Sequence, residues 1–133
     1  MSTFVIDLDN TICRTPKHKD SSIYNYRRSV PVKNVKRTIN ELYSAGNKII
    51  IFTSRGMRTF KEDFLEIEKT VLPGIKEFLN KNEILYHEIR IGKPWGEDVY
   101  YIDDRCLTIN QFLSQKPDTF KDIIKKNNSL MSK

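Results

Sequence analysis

The chain holds only two cysteines in 133 residues, Cys13 and Cys106, and neither sits in a CxxC pair. That excludes a disulfide framework and a structural zinc site as readings of the cysteines, and free thiols fit a reducing compartment. Long apolar runs are also missing: charges interrupt every apolar segment well before the roughly 20 residues of a membrane span. The N-terminal apolar stretch carries Asp7 and Asp9, so it does not read as an export signal. The expectation is a cytoplasmic protein with no membrane partner. No internal repeat is visible. A content of 38% hydrophobic and 30% charged residues over this length suits one domain, residues 1–133, around one principal core. Lys and Arg number 23 against 17 Asp and Glu, a formal charge of +6 that permits an anionic partner without choosing among nucleic acid, a membrane surface and a phosphorylated metabolite.

What is present is an alternation of short apolar strands and helical stretches. Thr3-Phe4-Val5-Ile6 reads as a buried strand that delivers the polar run Asp7-Leu8-Asp9-Asn10-Thr11 at its C-terminal end. Residues 14–31 are irregular, basic and tyrosine-containing, which predicts a short surface flap. Val32, Val35, Ile39 and Leu42 recur at helical spacing between Pro31 and Gly46, predicting a helix over about 32–45. Ile49-Ile50-Ile51-Phe52 predicts a second strand tipped by Thr53-Ser54-Arg55-Gly56. The stretch from Met57 to Leu79 is helical in pattern, and Pro73-Gly74 divides it. Ile84-Leu85-Tyr86 and Ile89-Arg90-Ile91 are short extended candidates. Val99-Tyr100-Tyr101-Ile102 predicts a clearer strand ending at Asp103-Asp104-Arg105. Residues 125–133 are polar enough to fray. The whole predicts an α/β fold: a Rossmann-like three-layer sandwich with a central, mainly parallel sheet, no large cap domain, and a working edge at the strand C-terminal ends.

Asp7 and Asp9 are two apart, so in an extended segment their side chains share a face while Leu8 points away. Like charges that close repel unless a cation or a shared proton intervenes. The plainer account makes Asp9-Asn10-Thr11 a turn or helix cap, since all three residue types favour those positions. Asp103-Asp104 after another apolar strand weighs against it. Four carboxylates at one edge make an oxygen-ligand site suited to Mg2+.

These elements, in their order, resemble the haloacid dehalogenase-like superfamily of phosphotransferases. The resemblance runs from about residue 3 to 105. It rests on Asp7-Leu8-Asp9-Asn10-Thr11, on Thr53 or Ser54 at the second strand tip, on Lys93 in Gly92-Lys93-Pro94-Trp95-Gly96, and on Asp103-Asp104. Within the superfamily the chain is most similar to small, minimally capped phosphatases, including ones associated with capsule or surface-polysaccharide biosynthesis. The resemblance implies Asp7 as the nucleophile that forms an aspartyl-phosphate, and Asp9 as the acid that protonates the leaving group and later helps activate water. It gives Thr53 a phosphate-oxygen hydrogen bond with Ser54 as a neighbouring donor, and it makes Lys93 the phosphate-binding lysine. Mg2+ would be held by Asp7, the Asp9 backbone carbonyl and Asp104, with Asp103 a second candidate of the terminal pair. The general chemistry agrees: a carboxylate can carry covalent phosphoryl transfer, and a neighbouring acid, hydroxyls and a mobile ammonium can support it. Each residue also has a plain alternative: an N-cap for Thr53, a solvated surface lysine for Lys93, and a solvated turn for Asp103-Asp104.

Arg55 follows the second strand tip and is the strongest candidate among the basic residues for contact with substrate. Arg14, Lys17, His18, Arg27 and Arg28 belong either to a second anion contact or to a solvated basic loop. Tyr24, Tyr26 and Trp95 could stack on a sugar or base, or serve as rim packing. The expected function is Mg2+-dependent hydrolysis of a small phosphomonoester, such as a sugar phosphate in surface-carbohydrate assembly. The alternatives are a nucleotide or polynucleotide phosphatase, and a catalytically weak anion-binding regulatory protein. Against nucleic acid stands the lack of a recognisable binding module or of a dense aromatic-basic repeat.

Overall fold

A computed structural model describes residues 1–21 and 23–131. The fold is α/β, and the chain divides into two compact units, residues 1–96 and 97–133. No described helix is long and apolar enough to cross a membrane.

In the first unit, β1 (Thr3–Asp7), β4 (Lys48–Phe52) and β5 (Glu88–Arg90) form a parallel sheet in the order β1-β4-β5. Asp7 lies opposite Phe52 and Phe52 opposite Arg90, so all three strands end at one level. The central strand is the apolar one: Ile49, Ile50 and Ile51 are buried, as a strand covered on both faces requires. β1 and β5 are the edges, and Val5 of β1 is exposed. The crossover from β1 begins with a separate antiparallel ribbon, β2 (Cys13–Arg14) against β3 (Val30–Pro31), which closes the base of the basic flap. Within the flap, His18 N–H donates to the Ile23 carbonyl and Asn25 N–H to that of Pro16. Tyr26–Arg28 forms one 3-10 turn.

Helix α1 (Lys33–Ser44) follows and buries Val35, Ile39 and Leu42, the spaced apolar positions that predict it. Gly46, at φ +92°, takes the left-handed conformation that ends this helix at no steric cost. Between β4 and β5 lie α2 (Phe64–Thr70) and α3 (Leu72–Lys81). The break falls at Val71, two residues before the expected Pro73-Gly74. Proline fits the first turn of a helix, where its missing N–H has no partner to lose, so it opens α3 without separating two helices. Asp63 caps α2, its side chain accepting from Glu66 N–H. Residues 57–63, expected as helix, form turns, with Lys61 and Glu62 both at positive φ. Of the two short extended candidates, only the one around Ile89 pairs as a strand, whereas Ile84 is a buried core residue outside any strand.

Gly56 is a tightly packed glycine of this unit. It sits at φ +88°, and a Cβ there would lie 2.9 Å from Val71 Cγ2 and 3.2 Å from Ile67 Cγ1. Gly56→Ala combines left-handed strain with overpacking against branched side chains, an expected loss of about 2–3 kcal/mol. A denaturant midpoint measured at unchanged m-value checks it, and a loss below about 0.5 kcal/mol would show that the segment moves freely.

The second unit contains α4 (Ile109–Ser114), a 3-10 turn at Pro117–Thr119 and α5 (Phe120–Asn127). Thr108 and Gln111 make a reciprocal capping box that starts α4. Phe112 and Phe120 stack with ring centroids 6.4 Å apart, and Phe120 is the buried residue of α5. The expected strand Val99–Ile102 is absent: these residues form no strand, and Ile102 is 96% exposed. A four-residue apolar run has strand propensity, but a strand exists only where a neighbour supplies its ladder. Of the tail expected to fray, residues 125–127 are helical, while residues 132 and 133 lie outside the described residues.

Candidate functional site

The chain leaves β1 at Asp7 and turns at once. The Leu8 carbonyl accepts N–H bonds from Thr11, Ile12 and Cys13, and Asn10 N–H donates to the Cys13 carbonyl at 2.7 Å. Asn10 takes φ +64°, a left-handed conformation that asparagine tolerates better than most residues. The turn expected of Asp9-Asn10-Thr11 is therefore present, and it has a second consequence. Leu8, Ile12 and Cys13 are fully buried, so the loop is anchored from below and both carboxylates stay part-exposed at the end of the strand.

Asp7 is held by two neighbours. Lys93 Nζ lies 3.0 Å from its Oδ1, and the Thr11 hydroxyl donates to Oδ2 at 3.0 Å. Lys93 arrives because the β4–β5 ladder continues past the strand ends: Thr53 N–H donates to the Arg90 carbonyl and Lys93 N–H to the Thr53 carbonyl. Thr53 is 1% exposed, and its hydroxyl oxygen accepts from Arg55 N–H at 3.0 Å. That bond turns the chain after β4. Ser54 is half-buried beside it.

Asp9 has a different set of partners. Arg55 grips it with a two-pronged fork, Nη2 to Oδ1 at 2.7 Å and Nε to Oδ2 at 3.1 Å. Thr15 donates to Oδ1 at 2.8 Å, and Thr15 in turn is 2.7 Å from the Ser29 hydroxyl. The Arg55 side chain is 5% exposed, and its Cζ stands 4.3 Å over the Tyr26 ring. Buried, forked and stacked, the guanidinium gains both charge-assisted hydrogen bonds and cation–π attraction. Arg55, a substrate contact by its position in sequence, is thus committed to Asp9 here. Tyr26, grouped in sequence with ligand-stacking aromatics, packs on Arg55, and burial together with the Asp9 charge raises its phenol above the ordinary value.

Burial, then the nearby Asp9 charge, pushes the Cys13 thiol up to about 11, while Cys106 is exposed. At pH 8 iodoacetamide is expected to label Cys106 and spare Cys13, with both labelled after unfolding; equal labelling in the folded protein would show that the loop opens readily. The folded protein keeps a proton that the unfolded chain loses near 9.0. This contribution is therefore complete below that pH and declines as pH rises toward about 11.

Asp103 and Asp104 lie in the second unit on an exposed, irregular segment. Asp103 Oδ1 accepts Arg105 N–H at 2.8 Å, the turn expected of a solvated acidic pair, and the Asp104 carbonyl accepts from Asn128 Nδ2 at 2.6 Å. Among the described residues no group of three or more His, Cys, Asp or Glu gathers around a common point. Of the four expected acidic ligands, Asp7 and Asp9 lie in the first unit. Asp7 fits a hard cation, because each of its oxygens has one protein partner and a carboxylate offers about four lone-pair sites. A site of one or two carboxylates plus waters suits Mg2+, which gives up its waters reluctantly.

No protein-family model matches the chain, and no curated protein matches it. A crystal structure does: a structural-genomics target from Vibrio cholerae superposes with a TM-score of 0.83 at 34% sequence identity, over 96% of this chain and 99% of that one. The chain belongs to the family of that Vibrio cholerae protein. Nearly the whole length of each participates, so the family shares the α/β fold from end to end.

Among the expected site residues, the first unit brings together Asp7 with Lys93, Asp9 with Arg55, and Thr53 with the backbone of both Arg55 and Lys93. Sequence reasoning missed Thr15 and Ser29, and it gave Thr11 a place in the motif but no partner. Each is a small hydroxyl residue in a polar loop, and nothing local marks which carboxylate it will meet.

Proposed function

We propose that the protein is a phosphomonoester hydrolase of the haloacid dehalogenase-like type, working through an aspartyl-phosphate on Asp7 with Mg2+ as cofactor. The observation that carries this reading is the pairing at the end of β1: Asp7 against Lys93 at 3.0 Å, with Asp9 two residues on and Thr53 at the tip of the adjacent strand. The finer architecture that goes with it is a Rossmann-like core without a large cap. Asp7 and the Asp9 carbonyl would be the first unit's ligands to that metal. Bound Mg2+ would neutralise phosphate oxygens and hold the ester in line with Asp7.

The residues then divide the work. An Asp7 oxygen attacks phosphorus as the bond to the leaving-group oxygen breaks, and Asp9 gives that oxygen its proton. In the second half Asp9 takes a proton from water, the water oxygen bonds to phosphorus, and the bond from phosphorus to Asp7 breaks, returning the free carboxylate and inorganic phosphate. Lys93 offsets the combined negative charge of Asp7 and the phosphoryl group, and the Thr53 hydroxyl and the Ser54 N–H offer donors to the phosphoryl oxygens. A sugar phosphate or related small metabolite of surface-polysaccharide assembly, in the cytoplasm, is the substrate class that matches the resemblance.

The test is phosphate release from sugar, polyol and amino-alcohol phosphates, nucleotides and end-phosphorylated oligonucleotides, with Mg2+ or with EDTA. Release that needs Mg2+ is expected, falling at least about a hundredfold in EDTA. Folded protein that releases no phosphate from the panel, yet binds its members saturably, would make it an anion-binding protein instead.

A further inference from the structure

Beside the Asp9 loop the first unit holds an open cavity of ≈ 850 Å³, lined by Asn10, Arg14, Thr15, Arg28 and Ser29, with Pro16 and Val30. Its volume is that of a small-molecule site. Two features set it apart from an ordinary surface hollow. Arg14 and Arg28 both line it, and among the described residues neither forms an ion pair with an acid, whereas Arg55 a short way off is fully engaged. Both side chains are exposed, so each guanidinium can turn its donors to an anion held in the cavity. The second feature is how the wall connects to the site. Thr15 and Ser29 line the cavity and bond each other at 2.7 Å, and Thr15 bonds Asp9 at 2.8 Å. The cavity wall is therefore bonded to Asp9 through Thr15.

We infer that this cavity takes a second anionic group, a carboxylate or a phosphate, carried on the leaving-group half of the substrate and read by Arg14 and Arg28. The inference rests on the hydrolase reading above, in which Asp9 serves the leaving-group oxygen; whatever is attached to that oxygen extends to the Asp9 side. The substrate class narrows from any small phosphomonoester to one bearing two anionic groups. Arg14 leaves the two-stranded ribbon opposite Val30, and Arg28 ends the 3-10 turn of the flap. Arg14 and Arg28 thus give the base of the flap a role in selecting substrate, while Lys17, Lys19 and Arg27 lie outside the cavity lining.

Matched ester pairs test this: glycerol 3-phosphate against 3-phosphoglycerate for a carboxylate, and fructose 6-phosphate against fructose 1,6-bisphosphate for a phosphate. The member with the second anion is expected to have the higher kcat/KM by about tenfold or more, mostly through KM, and the arm with the larger ratio names the group. Arg14→Ala and Arg28→Ala each shrink that ratio and the double variant brings it near one, while Arg27→Ala, outside the cavity, leaves it in place. Equal kcat/KM within both pairs overturns the inference. So does a ratio that survives the double variant, or a salt-sensitive preference for a phosphorylated oligonucleotide over all four small esters. Calorimetric binding of the same four esters to the Asp7→Asn protein separates the two readings. Tighter, arginine-dependent binding of the second-anion members without turnover by the wild type would leave the cavity assignment standing and remove the hydrolase.

Discussion

Asp7→Asn is expected to lose at least about a thousandfold in phosphate release from every ester the wild type cleaves, while remaining folded. The side chain keeps its shape, so the amide oxygen can still accept from the Thr11 hydroxyl that now donates to Oδ2. What disappears is the negative charge facing Lys93 and the nucleophilic oxygen. The ion pair with Lys93 is only part-buried, at 17% and 30% side-chain exposure, so its loss is expected to cost no more than about 1 kcal/mol. A large kinetic effect beside a small stability effect is the signature of a group that reacts. Phosphate release and a thermal melt on the same preparation read both. Activity within about tenfold of wild type would remove Asp7 as nucleophile, and a collapsed melt would assign the carboxylate to the fold.

The second large effect is on stability. Arg55→Ala is expected to cost about 3 kcal/mol, roughly 10 °C in Tm, because it removes both prongs on Asp9 and the contact with Tyr26 together. Asp9 would keep Thr15 and the weak Cys13 contact at 3.6 Å, too little to balance a carboxylate at 25% side-chain exposure. Arg55→Lys restores the charge but neither the fork nor the flat stacking surface, so only part of the loss returns. Adding Asp9→Asn to Arg55→Ala recovers part of it too, since the stranded charge is gone. Denaturant midpoints for the wild type, Arg55→Ala, Asp9→Asn and the double variant close the cycle. If Arg55→Ala costs less than about 1 kcal/mol, the fork is worth no more than an exposed contact and the flap is not tied down through Tyr26.

Much of this arrangement is legible along the chain. Ile49 to Phe52 reads as a short apolar strand, and Val35, Ile39 and Leu42 mark one face of α1, so those elements form where the pattern places them. Asp7 follows the first apolar run directly and ends β1, whereas Asp9 is placed by the turn that follows and not by the extended segment its spacing suggests. The misreadings occur where a neighbour decides. Val99–Ile102 has the composition of a strand without a ladder, while Glu88–Arg90, polar at both ends, is a strand because Ile50 to Phe52 lie beside it. The division of the Met57–Leu79 stretch into two helices is legible from Pro73-Gly74, and only its position shifts, to Val71, because a missing N–H is harmless in a first turn.

The site divides in the same way. Residue type and spacing along the sequence determined that a strand would end at one carboxylate with a second just beyond it, that a hydroxyl would sit at the tip of a second strand, and that a basic loop would follow the first. Only the tertiary structure decided which cation meets which acid. Lys93 reaches Asp7 across 86 residues and Arg55 reaches Asp9 across 46. By sequence alone Arg55 was free to face substrate, and Tyr26 was free to stack on a ligand. The physical reason is that periodicity and capping act through neighbours a few residues away, whereas charge pairing depends on distances that exist only once the sheet has aligned its strand ends.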